Sequence, residues 1–154
     1  MGRLWLTNSI SKMNLYGAIL ANLINITTIS IFIARLLGEP DIGHWIGILI
    51  QVSIIPLFYL LYTAKSLNRT RIYYIWISLM IAFIIFEFLV DWYPKIEFRN
   101  NLMIVIPYIM LFFGATGGMI GVASLAGKRW TIITVILFLI MFVLAFVQRR
   151  ITGL

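Results

Sequence analysis

Between Lys12 and Arg35 no residue carries a charge. Apart from His44, the same holds from Asp41 to Lys65, from Arg71 to Glu87, from Arg99 to Lys128 and from Arg129 to Arg149. A hydrocarbon core about 30 Å thick takes roughly 20 apolar residues of helix to cross, and these runs are of that order. In lipid the backbone must satisfy its own polar groups, so only helices and closed barrels span. Barrel strands would be about half as long and alternate in polarity. The spacing therefore predicts five spanning helices, Leu15–Leu37, Gly43–Ala64, Ile72–Val90, Leu102–Ala126 and Thr131–Val147. The fold class that follows is an all-α, polytopic helical membrane bundle, with residues 1–154 forming one transmembrane domain.

The breaks between runs have turn chemistry: Gly38-Glu39-Pro40-Asp41, Lys65-Ser66-Leu67-Asn68-Arg69, Tyr93-Pro94-Lys95 and Gly127-Lys128-Arg129. Composition agrees, since 62% of the chain is hydrophobic and 11% charged. A soluble domain carries about 25% charged residues to face water. A net charge of +7 raises the question of nucleic acid. In a membrane chain such charge belongs to loops, where it sets orientation and meets anionic lipid, so no nucleic-acid partner is expected. Cysteine is absent, which removes thiolate chemistry. The apolar segment after Arg3 and Lys12 is too long for a signal-peptide core. The first fourteen residues, with Leu4, Trp5, Leu6, Ile10 and Met13 among polar neighbours, have the character of a segment lying along the interface.

Five crossings put Arg3, Lys12, Lys65, Arg69, Arg71, Lys128 and Arg129 on the face that holds the N-terminus. The other face receives Arg35, Lys95, Arg99, Arg149 and Arg150. That bias predicts a cytoplasmic N-terminus in the cell membrane. The acids sort more sharply: Glu39, Asp41, Glu87, Asp91 and Glu97 all fall at the second face, with His44. One alternative stays open. The run Gly114 to Gly121, GATGGMIG, allows either a continuous helix, the expectation here, or a re-entrant hairpin that moves the C-terminus across.

The residues that suggest chemistry gather in the stretch FEFLVDWYPKIEFRNN. Glu87 and Asp91 are four apart and share a helical face. Two carboxylates ionised side by side in low dielectric repel, and a bound cation, a proton or a nearby Lys95 or Arg99 relieves that. The candidate binding set is therefore Glu87, Asp91, Glu97, Lys95, Arg99 and His44, for a cation, a proton or a lipid headgroup. An interfacial ion-pair cluster with Arg35 explains the same residues without a ligand. The metal, if any, is left open: one histidine and carboxylates are a thin set for zinc or copper, and no loop has calcium-hand spacing.

Asn22 and Asn25, with Asn14, Gly17, Ala18 and Ala21, fall on one broad side of the first helix. Gly114, Gly117, Gly118 and Gly121 make overlapping small-residue pairs on the fourth, continued by Ala123 and Gly127. Both sets have the character of helix-packing surfaces, within the monomer or between copies. No nucleophile–base pair, phosphate loop or dinucleotide fingerprint occurs, so neither a catalytic residue nor a cofactor is expected. The expected function is a non-enzymatic membrane protein that associates with itself or another membrane protein and binds or transports a cation, proton or lipid at its acidic rim. The alternative is an enzyme acting on a lipid headgroup through Glu87 or Asp91, with Lys95 and Arg99 on the phosphate.

Overall fold

In the computed structural model, which describes residues 2–89 and 102–152, the described chain is helix joined by short turns. The helices are α1 (Gly2–Leu36), α2 (Pro40–Val52), α3 (Ile54–Ala64), α4 (Arg71–Glu87), α5 (Leu102–Ser124) and α6 (Lys128–Thr152). Four stretches are long and apolar enough to cross a membrane: Asn8–Leu36, Asp41–Ala64, Met103–Ser124 and Lys128–Gln148. The remaining helix, α4, has 17 residues and rises about 26 Å at 1.5 Å per residue. It packs along both α3 and α5 and continues through Phe88 and Leu89 in a wider turn. The fold is a helical membrane bundle.

Turn residues stop the helices where they should. Gly38, at φ +78°, lets the Glu39 N–H reach back to the Ala34 carbonyl at 2.9 Å, and its own N–H meets Arg35 at 3.2 Å. This Schellman pattern satisfies carbonyls that a helix end leaves open. Asn68 repeats it at φ 49°, with Arg69 N–H on the Ala64 carbonyl at 3.0 Å and Asn68 N–H on Lys65 at 3.2 Å.

Contacts fix the direction of each helix. Tyr16 meets Tyr59 edge-on at 6.4 Å, while Gly43 lies against Arg35, Ile31 and Ala34, so α2 and α3 descend beside α1. Gly118 lies on Trp76, Gly114 on Leu79 and Tyr108 on Phe83, so α5 is antiparallel to α4. Asn14 bonds to Leu125 and Asn22 to Thr134, which sets α6 parallel to α1. The chain passes along the bundle five times. The core draws Leu20, Ala21, Leu57, Ile77, Met80 and Met119, among others, from α1, α3, α4 and α5. Helix α6 packs outside that core against α1 and α5, burying Thr134, Met141 and Gln148 at every seventh position.

Two expectations need revision. The first fourteen residues do not form a separate interfacial piece; α1 is one helix of 35 residues, about 52 Å long. No glycine or proline interrupts it between Gly2 and Gly17, and Met13 already packs on the core. The second span breaks at Ser53, three residues before Pro56, a residue type that kinks helices. Pro56 has no N–H for the Val52 carbonyl. Ser53 absorbs the disturbance, with its hydroxyl on the Ile50 carbonyl and its N–H shared between Leu49 and Ile50 at 3.1 Å each. The last helix is longer than expected at both ends, because Gly127, at φ +118°, closes the turn and α6 starts at once at Lys128. Helix α5 runs unbroken through the glycine-rich run, the continuous form of the two considered.

That run earns its glycines by contact. A Cβ on Gly118 would lie 2.8 Å from the Trp76 backbone oxygen, and one on Gly121 would enter the Trp76 ring. Gly117 faces open space. Gly118→Ala is therefore expected to lower the apparent melting temperature in detergent, at a cost of about 1–3 kcal/mol. Gly117→Ala should be neutral or stabilising, since alanine favours helix over glycine. Equal effects of the two would refute the close approach. Reporters fused before Met1 and after Leu154 should read opposite compartments, and a shared compartment would overturn the five-pass topology.

Candidate functional site

The carboxylates expected at one rim are placed as follows. Glu39 and Asp41 lie exposed at the turn from α1 into α2, and His44 is exposed one turn into α2. Glu87 is the last residue of α4, half-buried, with Oε2 enclosed. Up-and-down packing puts these residues at one end of the bundle, opposite Asn14, Arg69 and Leu125. Asp91, Lys95, Glu97 and Arg99 lie outside the described residues. Among the described residues no three of His, Asp and Glu gather as a metal would require.

The position of Glu87 follows from packing one turn earlier. Phe83 stacks against Tyr108 at 5.7 Å and Phe112 at 5.8 Å, and Phe86 reaches the same Tyr108 at 6.4 Å. Such ring pairs contribute about 0.5–1.5 kcal/mol each beyond burial. They fasten the end of α4 to α5, so the carboxylate is held at a set height. The Phe88 N–H that caps α4 is shared between the Ile84 and Ile85 carbonyls.

The packing residues separate into distinct environments. Asn22 is buried between α1 and α6: its Oδ1 accepts from the Thr134 hydroxyl at 3.0 Å and its Nδ2 donates to the Ala18 carbonyl at 2.8 Å. Asn25, one turn further, is 1% exposed, yet neither amide atom has a hydrogen-bond partner. Gly118 and Gly121 admit Trp76, and a Cβ on Gly114 would stand 3.4 Å from the Leu79 side chain. These residues line helix contacts inside one molecule, while Glu87 stands apart at the rim.

The opposite end holds a constellation that pattern reading passed over. Asn14 donates through Nδ2 to the Leu125 carbonyl at 2.9 Å and accepts on Oδ1 from the Arg69 guanidinium. One amide thus ties α1, the α3–α4 turn and the end of α5. The Arg69 guanidinium also lies 5.0 Å from the Tyr73 ring centre, a cation–π distance. The local cause is Asn68, whose left-handed backbone turns the chain so that Arg69 faces inward. The signal was an asparagine at a helix end followed by arginine. Its partner, 55 positions away, carries no sequence mark. Beside Asn14 a groove of about 380 Å³ is lined by Ile10, Ser11, Asn14, Leu15, Leu125 and Ala126.

The two buried polar sites on α1 predict opposite mutational signs. Thr134→Val strands the Asn22 oxygen and should lower the apparent melting temperature. The loss should be about 0.6 kcal/mol, the average for such bonds between membrane helices. Asn25→Val removes two unsatisfied polar atoms and should hold or raise it. A clear loss for Asn25→Val would show that this amide has a partner in the membrane.

Comparison of the chain with protein-family models, curated proteins and solved structures yields no match, so its site is read from its own geometry.

Proposed function

We propose that this protein is a non-enzymatic, multi-pass component of the cell membrane, self-associating or part of a larger complex, that binds or moves a cation or proton, or binds a lipid headgroup, at its acidic rim. The observation that carries this reading is the placement of Glu87. It is a half-buried carboxylate at the inner edge of the rim, at the same end as Glu39 and Asp41. Ionisable groups at membrane depth are costly and are associated with ion paths and relays. The Phe83 and Phe86 rings, fastened to Tyr108 on α5, hold the end of α4 that carries this carboxylate. Self-association or complex formation would use the outer face of α6, where Ile132, Ile136, Leu139, Val143 and Phe146 are exposed. The excess of lysine and arginine at the N-terminal end supports a cytoplasmic N-terminus.

Glu87→Gln keeps the shape and removes the charge. In proteoliposomes it should reduce cation or proton flux at least roughly tenfold, the consequence of losing about 1.4 kcal/mol at the site. It should also abolish any cation- or lipid-dependent rise in melting temperature. Unchanged flux together with unchanged ligand-dependent stability would remove this rim as the working site.

A further inference from the structure

The end of the bundle opposite the acidic rim has the parts of a lipid site. Lys12, Lys65, Arg71, Lys128 and Arg129 are exposed there, and Arg69 stands half-buried among them. The described acids, Glu39, Asp41 and Glu87, are all at the other end, so no described carboxylate at this end offsets the positive field. A guanidinium has five N–H donors. Here Nη2 is held by Asn14, while Nε is buried with no hydrogen-bond partner. Asn14 is at once the anchor of Arg69 and a wall of the groove.

The groove itself is two-sided. Ser11 and Asn14 give it polar atoms, and Ile10, Leu15, Leu125 and Ala126 give it an apolar floor. Below it, Leu15, Ile19 and Leu23 lie exposed at four-residue spacing along α1 and make a continuous apolar track toward the bilayer centre. A volume near 380 Å³ accommodates a headgroup and its glycerol, with the chains left to the track. We propose that this groove binds one anionic phospholipid. Its phosphate is met by the Arg69 guanidinium and the exposed Lys12, Lys128 and Arg129, and an acyl chain lies along Leu15, Ile19 and Leu23. Free phosphate has no use for the apolar half of the site, and a zwitterionic lipid gains less from a field of one sign. The proposal is independent of the acidic-rim reading and lies at the other end of the molecule.

The test uses the full chain in a neutral detergent, with dioleoyl phosphatidylglycerol, dioleoyl phosphatidylcholine and inorganic phosphate added in separate titrations. The readouts are melting temperature and native mass spectrometry. Phosphatidylglycerol should raise the melting temperature saturably and appear as one retained lipid per chain, an effect that weakens with salt. Neither phosphatidylcholine nor phosphate should reproduce it. Ser11→Phe, which fills the groove from an exposed position, should abolish the response while leaving the lipid-free melting temperature unchanged. Arg69→Gln should weaken half-saturation roughly tenfold, as expected for one charge-assisted bond. Should Arg69→Gln fail to fold, the double variant Lys128→Gln/Arg129→Gln gives the same reading from surface residues. Equal stabilisation by phosphatidylcholine or by phosphate alone overturns the proposal, and so does an undiminished phosphatidylglycerol response in Ser11→Phe.

Discussion

Backbone proximity is the constraint from which the rest of this bundle follows. Lipid tails are as apolar as leucine, so hiding apolar side chains from lipid does little to bring membrane helices together. Packing contacts and a few interhelical hydrogen bonds must do it. Helix α5 meets α4 through Gly118, which lies against the Trp76 backbone, and through Gly121, which receives the Trp76 ring. Helix α5 also meets α1 where Gly17 faces Val122, closely enough that a Cβ there would stand 2.8 Å from the valine methyl. These approaches set the spacing of α1, α4 and α5, and the large side chains of the core fill what remains.

Hydrogen bonds then choose among the close-packed arrangements. Asn22 with Thr134 locks the register of α6 on α1, and Asn14 closes the end where three chain segments meet. A slide of α6 by one turn would strand the buried Asn22 and Thr134 groups in an apolar medium. Their value is therefore as much in specifying one arrangement as in stabilising it. Asn25 departs from this pattern, as a buried amide whose polar atoms meet no partner in the structure.

Charge gives the two ends different characters. At the basic end Arg69 is built into the scaffold by an amide, a ring and a left-handed turn, so part of the positive charge has a fixed address. At the acidic end Glu87 is positioned by the Phe83, Phe86 and Tyr108 rings. A membrane whose two surfaces differ in lipid and in ion content would meet two chemically distinct surfaces of one small protein.

Much of the architecture was legible in the chain alone, because hydrocarbon thickness and the absence of water dictate how long an uncharged run must be. The same holds for the stops at Gly38 and Asn68, where backbone geometry favours those residue types. Which residues touch was another matter. The sorting of Glu39, Asp41 and Glu87 to one end needed only the counting of passes, but the pairing of Arg69 with Asn14 needed folding. Gly117 and Gly118 look alike as sequence, and only the packing of Trp76 makes one indispensable and the other ordinary. That Pro56 disturbs its helix is legible from proline's missing N–H, but that Ser53 takes up the disturbance is not, since that depends on how the neighbours meet the orphaned carbonyl. Local chemistry determined the helices and their ends; the third dimension decided which side chains share a site, because contact across helices leaves no periodic trace in a single chain.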